Sequence, residues 1–319
     1  MAILITGVAG FIGSNLARRL LHEGHLVCGV DHLNLGTLSN IEDLTHHPKF
    51  IFEKLDINDA AFLSFVKKIH SNHVIQSVWH LAANSDIPAG VESIEIDYKD
   101  TFMTTLHTLE AMKCLGVKSI LFASSSAVYG DLGEVLLTEN TGPLLPISNY
   151  GAMKLASEAL ISAAHESFLN RAFIFRFPNV IGMPATHGVI LDFMNKLKKD
   201  KTQLEVLGNG TQQKAYLHVN ELIDAMLFIE GHAKESLALF NIGAQDAGVT
   251  VRFIAEEVVK VFSPKAKIIY GTEFRGWVGD VPRFNYSIEK LSSLGWRSKM
   301  NSKEAVQKAI QEIAFTFNI

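Results

Sequence analysis

A glycine-rich turn near the N-terminus constrains the fold of this chain more than any other feature. Gly7, Gly10 and Gly13 lie between an apolar segment at 3–5 and an amphipathic segment at 12–23. In a strand–turn–helix unit, glycines at this spacing permit a tight turn, let the backbone approach a pyrophosphate and allow close packing of helix on strand. The free N–H groups and positive dipole of the helix N-terminus favour a phosphate there. The turn therefore predicts a dinucleotide site.

An acidic residue after the second apolar segment, 26–30, specifies the dinucleotide. Asp31 follows the last glycine of the turn by 18 residues, where a carboxylate accepts hydrogen bonds from the adenosine ribose. Its charge repels a 2′-phosphate, and residues 32–35 contain no arginine or lysine to receive one. NAD is therefore expected rather than NADP. Asp56 and Ile57, after a further apolar segment, are expected at the edge of the adenine.

Apolar segments alternate with amphipathic ones through the first half of the chain. Strands are predicted at 3–5, 26–30, 50–52, 78–81, 119–123 and 172–177, and helices at 12–23, 59–70, 98–114, 150–168, 189–199, 220–230, 250–261 and 302–315. Repeated βα units predict an α/β fold with a doubly wound parallel sheet of the Rossmann type. We expect an NAD-binding domain at 1–176 and a smaller α/β substrate domain at 177–319, with some later segments packing back on the first.

Composition indicates an ordinary globular protein. With 19% charged residues and a net charge of −4, no broad attraction to nucleic acid or to an anionic membrane is expected. The two cysteines, Cys28 and Cys114, lie in apolar segments and are expected to be buried, reduced thiols. No secretory signal or membrane-spanning run is recognised, which favours a cytoplasmic location. The 13 histidines form no metal-binding pattern, and no metal site is expected.

A tyrosine and a lysine four residues apart begin the helix predicted at 150–168. Tyr150 and Lys154 would share one face, where an ammonium lowers the pKa of a phenol from ~10 and makes it a usable general base. Alone, such a pair is typical of a solvated helix. However, Ser125 lies in a serine run after the strand at 119–123, at the carboxyl end of the sheet, where ligands bind in such folds. Its hydroxyl can hydrogen-bond the same substrate oxygen as the tyrosine.

Together these residues resemble the extended short-chain dehydrogenase/reductase family of NAD-dependent epimerases and dehydratases. Beyond the glycine turn, Asp31 and Ser125, the resemblance is carried by His80-Leu81-Ala82-Ala83, Val128-Tyr129-Gly130, Tyr150-x-x-x-Lys154, Arg176-Phe177-Pro178-Asn179-Val180-Ile181-Gly182, Gly208-Asn209-Gly210, Tyr216-Leu217-His218-Val219 and Gly279-Asp280-Val281-Pro282. It covers nearly the whole chain. Within the family, the chain is most similar to UDP-glucose/UDP-galactose 4-epimerases.

The resemblance implies an isomerase that interconverts UDP-galactose and UDP-glucose. Tyr150 would take the O4 proton while the C4 hydride passes to NAD, giving a transient 4-keto sugar that rotates before the hydride returns. Ser125 would contact O4. Dehydratases of the family carry Asp-Glu directly after that serine or threonine, whereas this chain has Ser126 and Ala127, which disfavours elimination.

Other functions stay open from the sequence. One group comprises related nucleotide-sugar enzymes: an epimerase of a uronic acid or an N-acetyl sugar, a dehydratase, a decarboxylase or a reductase. A different class is an NAD-sensing scaffold without catalysis, because the fold also hosts regulatory proteins. A sensor has no use for the tyrosine–lysine spacing together with Ser125, so the enzyme is favoured.

The resemblance also implies two sets of contacts. Cofactor contacts are expected at Gly7, Gly10, Phe11, Ile12, Gly13, Asp31, Asn34, Gly36, Asp56, Ile57, Leu81, Ala82, Ala83, Thr101, Ser124, Tyr150, Lys154 and Phe177. Substrate contacts are expected at Ser85, Ser125, Ser126, Tyr150, Asn179, Gly188, Val189, Val206, Lys214 and Arg275. Asn179 and Arg275 would hold the diphosphate, while Val189 and Val206 would lie by the uracil. The second domain would thus bind the nucleotide sugar.

Some positions depart from the family pattern. Thr101 replaces an asparagine, Lys214-Ala215 replaces Arg-Asp, and Trp277 stands where an arginine is usual. A lysine lacks the bidentate fork of an arginine, so the phosphate geometry differs. Phe284 is a bulky residue at a position that favours a plain hexose over an N-acetyl sugar. The small and apolar residues of the helices at 98–114 and 150–168 suit helix packing, and by resemblance predict a homodimer.

Overall fold

The computed structural model describes residues 1–133, 135–273 and 285–317. The strands are β1 (Ala2–Thr6), β2 (Leu26–Asp31), β3 (Phe50–Lys54), β4 (Ile75–His80), β5 (Ser119–Ala123), β6 (Leu136–Leu137), β7 (Arg171–Arg176), β8 (Asn179–Ile181), β9 (Gln203–Val206), β10 (Gln213–Lys214), β11 (Tyr216–His218), β12 (Leu237–Asn241), β13 (Val249–Thr250), β14 (Lys267–Tyr270) and β15 (Asn285–Tyr286).

The α-helices are α1 (Phe11–His22), α2 (Ala61–Asn72), α3 (Ile87–Glu92), α4 (Ile94–Asp97), α5 (Thr104–Leu115), α6 (Asn149–Ser167), α7 (Val189–Lys199), α8 (Val219–His232), α9 (Val251–Phe262), α10 (Glu289–Leu294) and α11 (Ser302–Thr316). A π-helix spans Tyr98–Met103, and 3₁₀ turns lie at Leu38–Asn40, Glu42–Leu44 and Ser126–Tyr129. Across the described ranges, no helix combines the length and the apolar character needed to cross a membrane.

The central sheet has the strand order β3-β2-β1-β4-β5-β7-β12, seven strands among the described residues. Strand β1 pairs in parallel with both β2 and β4, so the direction of the sheet order reverses at β1. In doubly wound sheets a ligand binds at this switch point, outside the carboxyl ends of the strands. The predicted α/β fold with a doubly wound parallel sheet is confirmed.

Two compact units divide the chain. The first comprises 1–128, 144–176 and 229–240. Its core joins strand residues Leu4 and Ile120 with helix residues Val66, Met112 and Ile161, all buried. Because helices cover the apolar strands, β1 is buried at each of its positions. Buried apolar area at ~25 cal/mol per Å² is the main favourable contribution to such a core.

The second unit comprises the described parts of 129–143, 177–228 and 241–319. Strands β9 and β14 pair in parallel, and helices α7, α9 and α11 supply buried residues such as Met194, Ile254 and Ile310. Helix α11 begins with a capping box in which Asn301 accepts from the Glu304 N–H and the Glu304 side chain accepts from the Asn301 N–H. The two bonds satisfy backbone N–H groups that have no partner within the helix.

The helix predicted at 98–114 differs from the observed segment. Residues 94–115 run through α4, the π-helix and α5. The Thr104 and Thr105 hydroxyls donate to the carbonyl of Thr101, and the Thr108 hydroxyl donates to that of Thr104. Such hydroxyl bonds compete with the helical backbone pattern, and a π-turn inserts an extra residue into the helix. The expectation for Cys114 was also wrong, because its thiol is exposed while that of Cys28 is buried.

Replacing Gly13 by alanine should destabilise the protein. A Cβ at Gly13 would lie 2.1 Å from the carbonyl oxygen of Gly7, so the backbone must move, at a cost of roughly 1–3 kcal/mol. The matched control is Gly231→Ala in α8, where a Cβ meets nothing within 4 Å and should stabilise the helix by up to about 1 kcal/mol. Thermal unfolding followed by circular dichroism compares them. Equal melting temperatures for the two variants would contradict the close approach.

Candidate active site

The glycine turn joins β1 to α1 at the switch point of the sheet. Gly7 has a φ of +71°, and a Cβ there would lie 2.8 Å from the backbone nitrogen of Ala82. Gly10 is the N-cap of α1 and makes no side-chain capping bond. The N–H groups of the first helical turn, which include Phe11 and Ile12, therefore lack a protein cap. This geometry suits a phosphate, because the turn has no room for a side chain at Gly7 and its free N–H groups can bind an anion.

Asp31 connects this turn to the one that follows β2. Its Oδ2 accepts the N–H of Ala9 at 2.9 Å, and its Oδ1 accepts the N–H of Leu33 at 2.8 Å. A Cβ at Gly36 would lie 3.0 Å from Asp31 Oδ2, so the second turn also packs against the carboxylate. Each carboxylate oxygen has a further lone pair. Asp31 can thus hold both turns and still accept hydrogen bonds from ribose hydroxyls.

A buried chain of side chains fixes the loop after β4. His80 Nδ1 lies 2.7 Å from Thr6 Oγ1, and His80 Nε2 lies 3.0 Å from Thr105 Oγ1, which also contacts Ser157 Oγ. Burial lowers the pKa of His80 to about 3, so the ring is neutral. Thr6 Oγ1 also accepts the N–H of Ala82 at 3.3 Å. The loop expected to contact the cofactor is therefore held by β1, β4, α5 and α6 together.

Tyr150 and Lys154 lie in the first turns of α6. Lys154 is only 2% exposed, and its Nζ donates to the carbonyl of Ala123 at 2.6 Å. The same Nζ lies 4.7 Å from the centre of the Phe122 ring and 5.8 Å from that of Tyr150. A hydrogen bond links Ser125 to the Tyr150 hydroxyl. The structure therefore brings Ser125, Tyr150 and Lys154 together.

The expected lowering of the Tyr150 pKa is not observed. Burial raises the pKa of Tyr150 to about 12, the Ser125 hydrogen bond opposes that rise, and the charge of Asp97 adds to it. The Lys154 ammonium donates to a backbone carbonyl instead of to the phenol, which explains why it does not offset the desolvation. Tyr150 is therefore protonated at neutral pH, and its phenolate is a strong base once it forms.

A buried ion pair lies one turn beyond Lys154 on the same face of α6. Arg176 donates to Glu158 through Nε at 2.9 Å and through NH2 at 2.6 Å, and Ser124 Oγ donates to Glu158 Oε1 at 2.5 Å. Burial lowers the pKa of Lys154 to about 7, while Glu158 and then Asp97 oppose that shift. Sequence reasoning missed Glu158, although the four-residue spacing from Tyr150 to Lys154 repeats once more at this position.

The remaining predicted cofactor residues occupy varied surroundings, and all of them except Phe177 belong to the first unit. Thr101 is buried, and its Oγ1 accepts the N–H of Asn84 at 3.2 Å. The other members of the set are distributed as follows: Leu81, Ala82, Ala83 and Phe177 are half-buried, Ile57 is buried, and Asn34 and Asp56 are exposed. Ser124 directs its hydroxyl to Glu158. Its expected cofactor contact would therefore have to involve the backbone.

The predicted substrate residues fall in both units. In the first, Ser85 is exposed and Ser126 is buried at the start of a 3₁₀ turn. In the second, Asn179 lies in β8, Gly188 caps α7 with a φ of +104°, and Lys214 lies in β10. Val189 begins α7, and Val206 ends β9 buried in the core of that unit. Arg275, Trp277 and Phe284 lie outside the described residues, as does the segment Gly279-Asp280-Val281-Pro282.

Comparisons with known proteins agree with this geometry. The model of the NAD dependent epimerase/dehydratase family matches residues 3–243. A UDP-glucose 4-epimerase of Mycolicibacterium smegmatis is 27% identical over 317 residues, which cover 98% of each chain. A crystal structure of a UDP-galactose 4-epimerase is 32% identical, with a TM-score of 0.85 and 99% of each chain covered.

Further relatives identify the cofactor but differ in their reactions. The structure of a Thermus thermophilus UDP-glucose 4-epimerase in complex with NAD is 26% identical, with a TM-score of 0.83, and the match covers 98% of this chain and 99% of that one. Curated relatives include a UDP-glucuronate 4-epimerase and a dTDP-D-glucose 4,6-dehydratase. The cofactor is NAD, and the glycine turn and Asp31 fit it.

Replacing Glu158 by glutamine should strongly destabilise the protein. The variant leaves the buried Arg176 guanidinium without its counter-charge, at a cost of about 3–5 kcal/mol. The control is Asp192→Asn, which breaks the exposed Asp192–Lys196 pair on α7 and should cost less than ~1 kcal/mol. Urea unfolding at neutral pH measures both. A small effect of the Glu158 substitution, similar to that of the control, would show that the pair is not needed.

Lys154→Met should change how the stability depends on pH. Folded Lys154 loses its proton near pH 7, whereas a lysine in the unfolded chain loses it near ~10.4. Between these values the unfolded state binds more protons, so the free energy of unfolding of the wild type should rise with pH relative to the variant. Lys68→Met, on the exposed side of α2, is the control. Parallel pH profiles for the wild type and Lys154→Met would refute the prediction.

Proposed function

The chain belongs to the NAD dependent epimerase/dehydratase family, whose model matches residues 3–243, and we propose that it is a nucleotide-sugar 4-epimerase that interconverts UDP-galactose and UDP-glucose. The family assignment supports an NAD-dependent enzyme that acts on nucleotide sugars. The observation that carries the finer proposal is the Ser125–Tyr150 hydrogen bond with Lys154 behind the tyrosine ring. This arrangement supports a reaction in which a general base and a hydroxyl act on one substrate oxygen, which we propose is the sugar O4.

Proton transfer at O4 is the task of the chain's own residues. Bound NAD supplies a reversible acceptor for the hydrogen at C4. Tyr150 removes the O4 proton as the C–H bond at C4 breaks, which leaves a 4-keto sugar, and returns a proton after the sugar has turned. The Ser125 hydroxyl forms a hydrogen bond with Tyr150, and we propose that it contacts O4 when the sugar is bound. We propose that Lys154, whose Nζ lies 5.8 Å from the centre of the tyrosine ring, favours the phenolate by its positive charge during the reaction.

The residues after Ser125 support epimerisation over dehydration. Elimination of water needs an additional acid and base beside the sugar. Ser126 is buried at the start of a 3₁₀ turn, and Ala127 has no ionisable group, while its N–H donates to Ser125 Oγ at 3.1 Å. These two positions therefore supply neither group. The turn instead fixes the Ser125 side chain, which suits a reaction that removes and returns hydrogen at one carbon.

The proposal extends to the nucleotide and to the assembly. We place the NAD-binding domain at 1–176 and the nucleotide-sugar domain at 177–319. Diphosphate and base contacts are proposed at Asn179, Gly188, Val189, Val206, Lys214 and Arg275. A homodimer is proposed through α5 and α6. Its support is that Ala159 and Ala163, one turn apart on α6, are exposed, since small side chains let helices approach closely.

The proposed activity is tested with the purified protein, UDP-galactose and no added cofactor. UDP-glucose should form, because an epimerase regenerates its NAD in each cycle. Tyr150→Phe should lower the turnover number by about 10²–10⁴-fold, since it removes the general base, and should leave NAD bound. The matched control is Tyr98→Phe, whose ring is exposed and stacks on Phe102. It should turn over at the wild-type rate.

The same assay distinguishes the alternatives. Net consumption of added NADH would indicate a reductase, and release of water from the sugar a dehydratase. Turnover of UDP-glucuronate or of an N-acetyl sugar in place of UDP-galactose would reassign the substrate. Inactivity towards all UDP-, GDP- and CDP-hexoses would contradict an epimerase. Wild-type turnover by Tyr150→Phe would show that the base is another residue.

A further inference from the structure

Buried charges of both signs surround the catalytic pair. Lys154 is 2% exposed, Arg176 4%, Glu158 5% and Asp97 0%. A charge in such surroundings is costly unless an opposite charge or hydrogen bonds compensate it. The proposed mechanism assigns a task to Lys154 alone. The contacts of the other three groups show how the carboxylates of Glu158 and Asp97 offset the positive charge of Lys154.

Glu158 is already matched by Arg176. Two nitrogen atoms of the guanidinium donate to the two carboxylate oxygens, and the Ser124 hydroxyl adds a third donor. Even in this pair, Glu158 raises the pKa of Lys154 more than Asp97 does. Lys154 itself donates to the carbonyl of Ala123, which carries no charge. Within this group, Asp97 remains as the anion whose charge is not matched by a direct ion pair.

Asp97 is held in place without a cation in contact among the described residues. It ends α4, and its Oδ1 accepts the amide N–H of Asn84 at 2.9 Å. Its Oδ2 is buried and has no hydrogen-bond partner in the described ranges. A Cβ on Gly90 would lie 1.9 Å from that oxygen, so the backbone of α3 closes over it. The carbonyl of Gly90 in turn accepts from the side chain of Asn149, the first residue of α6. The carboxylate is thereby locked beside the start of the catalytic helix.

The charged groups around Asp97 indicate its partner. Burial raises the pKa of Asp97, Asp100 and Asp86 add to that rise, and the Asn84 hydrogen bond and Lys154 oppose it. Lys154 is thus the cation that stabilises this carboxylate. In return, Asp97 raises the pKa of Lys154 and adds to the rise in the pKa of Tyr150.

The other groups facing the catalytic pair come from neighbouring elements. They are Glu158 on α6, His80 on β4 and Ser125 after β5. His80 is neutral, since burial and the charge of Lys154 lower its pKa to about 3. Ser125 contributes a hydrogen bond to Tyr150, and Glu158 raises the pKa of Lys154 while it is paired with Arg176. Asp97 adds a second buried negative charge to the effect of Glu158.

We propose that Asp97 is a buried counter-charge of Lys154 alongside Glu158, a positioning residue that helps to keep the ammonium charged for the reaction at Tyr150. The proposal deepens the proposed function and depends on it for the role of the pair. Its consequence is specific: removing the charge of Asp97 makes both Lys154 and Tyr150 release their protons more easily. In the proposed mechanism, activity requires a charged Lys154 and an ionised Tyr150. A plot of kcat against pH should therefore have a rising and a falling limb, and both limbs should move towards lower pH.

The first test compares Asp97→Asn with Glu95→Gln. Glu95 lies two residues earlier on α4 but is exposed and pairs with Lys99, so the control removes the same charge from the same helix at the surface. We expect both limbs of the kcat profile to move to lower pH in Asp97→Asn and to stay in place in Glu95→Gln. Above the upper limb, a fall of about one in the pKa of Lys154 lowers its charged fraction roughly tenfold. Unchanged limbs in Asp97→Asn, or equal movements in both variants, would overturn the proposal.

The second test needs no substrate. The titration of Lys154 is followed by NMR on protein labelled with ¹³C at lysine Cε, with Lys154→Met identifying the signal. The midpoint should fall in Asp97→Asn and also in Asp97→Ser, which removes the carboxylate without introducing a buried amide. The reciprocal measurement uses the Lys154→Met variant, in which Asp97 is retained. The titration midpoint of the Asp97 carboxyl group should rise in this variant, because the coupling between two sites is mutual.

The two tests separate this proposal from the proposed function. Midpoints that do not move in any of these variants would overturn the counter-charge, whatever the enzyme turns over. A lowered Lys154 midpoint in a protein that converts none of the nucleotide sugars would support the counter-charge and refute the 4-epimerase. Even where both Asp97 variants fail to fold, the reciprocal titration in Lys154→Met decides the question.

Discussion

The close approach of two loops at the switch point of the central sheet is the constraint on which the site depends. The turn after β1 and the loop after β4 meet where a Cβ on Gly7 would lie 2.8 Å from the backbone of Ala82. His80, at the end of β4, and Thr6, at the end of β1, hold the two loops together through a 2.7 Å hydrogen bond. Because the loops are held by backbone contact and by a neutral buried ring, the helix N-terminus of α1 is left open to a phosphate. The preference for a dinucleotide thus follows from the packing of the sheet.

Helix α6 carries the proposed catalytic residues on one face. Tyr150, Lys154 and Glu158 follow each other at the four-residue spacing that aligns side chains along a helix. Their surroundings become more enclosed along the face: Tyr150 is half-buried, while Lys154 and Glu158 are buried. Arg176, at the end of β7, anchors the far end through its bidentate pair with Glu158. The ion pair therefore links the end of β7 to the helix that bears the proposed base.

Much of this arrangement could be predicted from sequence, for identifiable reasons. Parallel strands buried on both faces are continuous apolar runs, so the predicted bounds of β5 match the observed ones, as do those of the amphipathic helix α7. Two-residue strands such as β10 carry no periodicity and could not be recognised. The π-helix depends on threonine hydroxyl bonds that the hydrophobic pattern does not reveal. In the site, Tyr150 and Lys154 could be predicted from their spacing together with Ser125 after the strand at 119–123. Asp97 was not, because whether a carboxylate is buried depends on partners distant in sequence.

Burial shifts the pKa values of the two proposed catalytic groups in opposite directions, so neighbouring charges are needed to keep the lysine charged. Desolvation favours the neutral form of each group, so it raises the pKa of Tyr150 and lowers that of Lys154. Left to burial alone, the pair would consist of a phenol and a neutral amine. Glu158 and Asp97 restore the charge on the lysine, while Asp97 also keeps the proton on the tyrosine. Once ionised, a tyrosine with so high a pKa is a strong base, which suits the removal of a proton from a substrate hydroxyl.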